Sequence, residues 1–309
     1  VTSAETSAKS SFRNRDDIHV LAAVLAVTAW GIGPIFNKAL SVSTSSIVFY
    51  RMLFGLPIMV LMAYMNGGSL NKHVIRKAAL PGFMFAMSFI TGFATVKMTS
   101  IANATMVGTL QPVLVLFVAP KLFGEKITMR KLAYSISAMV GVLVVVMAAA
   151  STSGAHLDGD LLAVLNVVIW TTYFVMSKKR RDEGIHSWSF IAAVFLCASF
   201  IVLPYGAITS NDLGAMHASD WWYIIGMALG PGVIGHGMMT WAQGHIDVSL
   251  ASMLGLISPV ISTILAWFFF QQSLTVLQLL GGVIVLASLT ALVRLQGKMS
   301  AETLVLHET

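Results

Sequence analysis

ATMVGTLQPVLVLFVAPKLFGEKIT, residues Ala104–Thr128, and ASMLGLISPVISTILAWFFFQQSLT, residues Ala251–Thr275, read as two versions of one segment. A shift of 147 residues lays Ala104, Met106, Gly108, Pro112, Ala119 and Thr128 on Ala251, Met253, Gly255, Pro259, Ala266 and Thr275 without a gap. Each copy is an apolar run of about 20 residues with a proline inside it, the length that crosses a bilayer as a helix. A second alignment, shifted by 140, pairs Leu21, Ala23, Val24, Leu25, Val27, Trp30 and Lys38 with Leu161, Ala163, Val164, Leu165, Val167, Trp170 and Lys178. A duplicated membrane protein is the expectation from these two stretches.

Outward from them the same apolar texture continues. Spans are predicted at Val20–Leu40, Ile47–Met65, Ala78–Val96, Ala102–Phe123 and Leu132–Ala150, then Leu161–Ser177, Trp188–Ala207, Trp221–Gln243, Ser249–Phe270 and Val276–Leu295. The runs do not alternate and are too long for barrel strands, so the fold class is all-α integral membrane with ten transmembrane helices. Five helices per copy is an odd number, so the second copy enters the membrane with opposite orientation. The expected organisation is a cytoplasmic tail (1–19), a first five-helix repeat (20–150), a second inverted repeat (160–295) and a second cytoplasmic tail (296–309). Inverted repeats are a device of secondary transporters, with the substrate held near midplane between the halves.

Composition agrees. Of 309 residues 57% are apolar and only 10% charged, against about 25% charged in a soluble protein. A soluble single domain is excluded. The net charge of +6 is not a nucleic-acid signal, because the basic residues fall in short clusters between apolar runs. With the N-terminus inside, 16 of 19 Lys and Arg face the cytoplasm, and Ser151–Asp160 and Ile208–Asp220 carry none. Both termini are therefore expected in the cytoplasm, in the cell membrane. Val20–Leu40 lacks a small-residue cleavage site and reads as a span rather than a signal peptide. Cys197 is the single cysteine, so no disulfide framework, metal site or cofactor is expected.

The quoted pair, together with Trp30-Gly31, Tyr50-Arg51 and the proline-bearing fourth and ninth helices, resembles the drug/metabolite transporter superfamily and, within it, the ten-helix EamA-type branch. Gly124-Glu125 after the fourth helix is part of that likeness, from which the second copy departs with Gln271-Gln272. The resemblance covers roughly residues 20–295 and implies transport of a small metabolite. The small multidrug exporters, related within the superfamily, use a central carboxylate; no Asp or Glu lies inside any of the ten spans here, which argues against that exchange chemistry.

Candidate substrate-binding residues are polar or aromatic groups costly to leave in lipid. His236 is the ionisable group placed deepest, in GPGVIGHGMM after Gly230-Pro231-Gly232, where a kink is expected. Gln111 and Ser258 precede the paired prolines. Trp30 and Trp170 match under the repeat and stand mid-helix, away from the interfacial belt. Tyr173 and Trp241 complete the set, with Asn166, Thr91, Thr95 and Gln243 as further candidates. Each also has a packing explanation: a neighbouring carbonyl for His236, helix contact for the prolines, helix glue for Thr and Tyr. Lys38, Arg51 and Lys97 are the three basic residues at the outer side, read either as a mouth for anions or as side chains reaching headgroups. Gly31, Gly33, Pro34, Pro112, Pro231 and Pro259 are candidate hinges, or else points of close helix approach.

The partners expected are a small solute (neutral, zwitterionic or anionic) and the bilayer, with no nucleic acid; the oligomeric state is left open, a monomer included. The site is expected between the first, third and fourth helices of each half, not on helices 2 and 7. A membrane enzyme is disfavoured, since HExxH, GxSxG and Walker loops are all missing. A lipid-carrier flippase of related fold is the alternative, distinguished by a lateral opening.

Overall fold

The computed structural model describes residues 3–98, 107–149, 157–271 and 274–307. Its elements are α1 (Ser3–Ala39), α2 (Thr44–Met65), α3 (Lys72–Met98), α4 (Gln111–Phe123), α5 (Met129–Ala149), α6 (Leu157–Asp182), α7 (Ser187–Thr209), α8 (Ala218–Met227), a π-helical segment (Ala228–Gly235), α9 (His236–Ala242), α10 (Val248–Leu254), α11 (Ile257–Phe270) and α12 (Val276–His307). No strand occurs among the described residues. Among the described residues eight stretches are long and apolar enough to cross a membrane, and α4 is a shorter apolar helix. The span expected at Trp221–Gln243 runs as α8, the π segment and α9 in succession. The protein is a multi-pass membrane protein. Large apolar side chains such as Phe117, Phe200 and Trp222 point outward, exposed, where lipid is the solvent.

Both quoted segments are broken where their prolines demand it. Proline has no N–H, and its ring collides with the carbonyl four residues earlier. For Pro112 and Pro259 those positions are Gly108 and Gly255. Turns occupy Thr109–Leu110 and Gly255–Leu256, where Leu110 N donates to Val107 O (3.0 Å) and Ser258 N to Gly255 O (3.1 Å) in tighter, three-residue steps. α4 and α11 then begin with the proline in the first turn, its favoured place. The expected Ala102–Phe123 span is described only from residue 107 onward. At the far ends, Gly124 closes α4 in the left-handed conformation (φ 68°), and Gln271 closes α11 the same way (φ 52°). The sequence departure at this cap is thus taken up without a change of backbone.

Pro231 has the same effect with a different outcome. The backbone around Gly230-Pro231-Gly232 widens into the π segment rather than breaking. Widening of this kind is frequent at functional sites, because it re-aims the side chains that follow. His236 comes directly after it.

Packing joins helices in pairs. α2 lies along α7 and α5 along α12; α1 packs on the π segment, α9 and α11, while α6 packs on α3 and α4. Among the described residues two large apolar clusters and a small one around Leu40, Ile47, Ile224 and Met227 fill the interior. One large cluster draws Ala26, Val142, Leu254 and Val285 together, the other Met52, Phe85, Phe190 and Val202. The α5–α12 seam is closest at glycine: a Cβ on Gly141 would stand 2.9 Å from Gly281 O, and one on Gly281 2.6 Å from Gly141 O.

Candidate functional site

Trp30 and Trp170, matched by the repeat, meet edge to face at 5.9 Å between ring centres. His236 sits beside both, 5.3 Å from Trp30 and 6.0 Å from Trp170. Phe85 (4.9 Å), Phe195 (5.9 Å) and Phe89 (6.3 Å) close the ring around it. Tyr173 extends the cluster, 5.1 Å from both Phe85 and Trp170. His236, Phe85, Phe195 and Tyr173 are buried. The cluster thus draws on α1, α3, α6, α7 and the first residue of α9.

The local reasons are legible. Phe85 and Phe89 are four residues apart on α3 and so share a face. Trp30 can pack closely on the π segment because Gly235 is bare: a Cβ there would stand 2.5 Å from Trp30 Nε1. A Cβ on Gly33 would stand 3.5 Å from the Pro231 ring, so α1 comes close to the widened turn there.

Two hydrogen-bond donors at this cluster are left over. Trp30 Nε1 is buried with no partner, and so is Arg51 Nε. The Arg51 guanidinium lies 5.1 Å over the Phe89 ring, on the interior side of α2. From Ile18 to Gly124 the sequence holds no Asp or Glu. A cation placed this way, with an aromatic face and no carboxylate, can receive an anion. Gln111 Nε2 is a third buried donor without a partner, on α4, which packs against α6 and α10.

The remaining expected residues are distributed elsewhere. Trp241 stands one end away, 4.7 Å from His19, which stacks on His245 at 3.7 Å. Ser258 faces α1, its carbonyl 2.9 Å from where a Gly31 Cβ would be, and Ser262 Oγ donates to Gly31 O at 2.7 Å. Gly31 therefore marks a close approach within an unbroken α1. Pro34 is exposed and Pro112 buried. Asn166 Oδ1 accepts from Ser88 (3.0 Å) and Thr91 (2.9 Å), Thr95 bonds back to Thr91 O, and Gln243 Nε2 donates to Phe174 O. Lys38 is exposed over Phe270 at 4.6 Å and shares no partner with Arg51. The side chain of Lys97 lies outside the described residues. Helices 2 and 7, expected to stay clear of the site, each contribute a residue to it.

Sequence reasoning passed over the three phenylalanines, whose signal is only their spacing. It also passed over two polar ties at the helix ends. Where the α1–α2 and α7–α8 connections meet, Asp212 accepts from Ser43 N (2.5 Å), Ser43 Oγ (2.7 Å), Ser46 Oγ (2.5 Å) and Ser210 Oγ (2.9 Å). Burial alone would raise the Asp212 carboxyl, but these donors outweigh it and hold it well below the usual carboxylate range. Asp220 accepts from Ser41 Oγ at 2.7 Å beside it. At the other tie, Glu125 accepts from Val248 N (2.6 Å) and from the hydroxyl of Ser249, and so its carboxylate caps the start of α10. Lys131 bridges Glu125 (3.4 Å) and Asp247 (3.1 Å), with the Glu125 and Lys131 side chains 5% and 4% exposed. An open cleft of about 350 Å³ between the α2–α3 and α6–α7 connections, lined by Gly68, His186 and Ser189, lies away from the aromatic cluster.

Comparison with known proteins places the chain. The EamA-like transporter family model matches it at residues 17–147 and again at 157–294, and the chain belongs to that family. A protein named as an uncharacterized transporter from Archaeoglobus fulgidus is 24% identical over 86% of this chain and 93% of its own length. The aromatic amino acid exporter YddG of Ancylobacter novellus is 27% identical, over 60% of this chain and 63% of its own. The pseudopaline exporter CntI of Pseudomonas aeruginosa is 22% identical over 89% and 95%. A solved crystal structure, 18% identical, has the same fold with a TM-score of 0.77, covering 90% of this chain and 98% of that one.

Proposed function

We propose that this member of the EamA-like transporter family carries a small organic solute across the cytoplasmic membrane by alternating access between two inverted five-helix repeats, with both termini in the cytoplasm. The observation that carries this reading is the aromatic cluster around His236. It gathers side chains from both halves, and it leaves buried donors without protein partners. Trp30, Trp170, Tyr173 and His236 form the wall that meets the solute, which is neutral, zwitterionic or anionic.

The packing supports the repeat. Exchanging the first five helices with the second five turns the contact of α1 with the π segment and α11 into that of α6 with α3 and α4, and returns α2–α7 and α5–α12 to themselves. Broken spans at Gly108-Pro112 and Gly255-Pro259 fit the interrupted helices that line carrier sites. Two relatives are named as exporters, of aromatic amino acids and of pseudopaline, which agrees with a small organic solute. With basic residues inside, the Asp212 tie lies at the outer end and the Glu125 tie at the inner end.

Uptake and efflux by purified protein in vesicles, over a panel of neutral, zwitterionic and anionic metabolites, tests the reading; no flux of any solute defeats it. His236→Ala is expected to lower the active flux about tenfold, the equivalent of one lost contact to substrate. Unaltered flux would remove His236 from the mechanism.

A further inference from the structure

We propose that the solute is an aromatic monocarboxylate without an α-ammonium group, its carboxylate held by Arg51 and its ring packed against the cluster around His236. The inference rests on the transport reading above and deepens it.

Charge balance carries the argument. Arg51 cannot lose its proton, so its charge is permanent. Its Nε is buried without a partner, and no Asp or Glu occurs from Ile18 to Gly124, from the apolar part of α1 to the end of α4. At the two polar ties the carboxylates are already taken: Asp212 by three serines, Glu125 by Lys131 and the start of α10. A buried, unpaired cation in a membrane protein is costly unless something else neutralises it. One negative charge on the solute does so. A zwitterion brings an ammonium for which the described cluster offers no counter-ion, and leaves the site with a net positive charge. A cation adds repulsion.

Shape supplies the other half. Phe89 lies under the guanidinium and also borders His236, so the charged end and the ring-lined end are contiguous. Trp30, Trp170 and Phe89 are only half-buried, so each keeps ring surface on which a further ring can stack. Trp30 Nε1, donor only and unpartnered, calls for an acceptor such as a carboxylate or carbonyl oxygen.

Three probes on one skeleton separate the possibilities: 3-phenylpropionate, phenylalanine and phenethylamine, an anion, a zwitterion and a cation. Ligand-dependent thermal stabilisation of the purified full chain gives their affinities. The expected order is the anion tightest, phenylalanine at least tenfold weaker, and phenethylamine without effect. Arg51→Gln is expected to erase the preference, and Arg51→Lys, which keeps charge but not the fork, to retain the order at weaker affinity; unfolding midpoints of the free variants check that both fold. Equal or tighter binding of phenylalanine or phenethylamine overturns the proposal. So does failure of all three to bind, or an anion preference that survives Arg51→Gln. Protein that binds none of them yet moves another solute in vesicles defeats this inference alone. Protein that binds the anion but moves nothing defeats the transport reading and leaves the site.

Discussion

Around Asp212 and Glu125 every carboxylate oxygen has a donor, whereas around His236 the donors Trp30 Nε1 and Arg51 Nε have no acceptor. Both regions are polar groups withdrawn from water, and elementary energetics treats them differently. A satisfied network is a device for holding helices together, and removing one member exposes the desolvation cost of the rest. An unsatisfied one is a standing cost that folding alone does not repay, and a ligand can. The helix ends therefore hold the two halves in place, and on the function proposed the aromatic cluster is where binding energy is available.

The comparison breaks most visibly at the inner tie. Glu125→Ala strands Lys131 and uncaps α10, with an expected loss of about 3–5 kcal/mol in unfolding free energy; Glu125→Gln combined with Lys131→Met should recover most of it. Chemical or thermal unfolding in detergent reads both. Asp212→Asn is expected to cost less, about 1–2 kcal/mol, because the carboxylate is only half-buried and the amide still accepts. Its pH signature is specific. The Asp212 pKa is depressed on folding, so its contribution is complete above the unfolded value of about 4 and is lost only as pH falls further, through the folded value. Stability should be indifferent to Asp212 titration between pH 5 and 8, and the acid limb of the curve should flatten in Asp212→Asn.

At the aromatic cluster the expected signs are reversed. Trp30→Phe removes a donor that has no partner, so stability changes by only about 1 kcal/mol of ring packing. Ligand affinity should fall about fivefold in the same variant, measured by ligand-induced stabilisation. Smallest of all is Gln271→Gly. A non-glycine residue in the left-handed region costs about 1 kcal/mol, so this variant should be neutral or up to about 1 kcal/mol more stable, with flux unchanged.

The helical fold was legible because its determinants are local and repeated: apolar length, two prolines, a basic bias between runs. Where Pro112 and Pro259 interrupt the spans follows from one steric rule applied to Gly108 and Gly255. The π segment follows only in part, since Pro231 dictates a disturbance but not whether the chain breaks or widens. Trp30, Trp170, Tyr173 and His236 were readable as costly groups in lipid, and the fold gathers them. Trp241 carried the same signal and stands with His19 and His245 instead, because a residue type does not say which neighbour it meets. Arg51 was read as a side chain at the outer side; its inward position depends on Phe89, which sequence spacing could not point toward it. Phe85, Phe89 and Phe195 gave no signal beyond hydrophobicity, which in a chain this apolar distinguishes nothing.

The glycine contact between α5 and α12 has a consequence of another kind. Each helix fills the volume where the other's methyl would go, so this seam is held by fit between backbones and owes little to solvent. Apolar burial gives membrane helices no preference for one another over lipid tails. The two ends of the duplication are therefore married by shape at a place remote from the rings, and the seam keeps its alignment whatever lipid surrounds it.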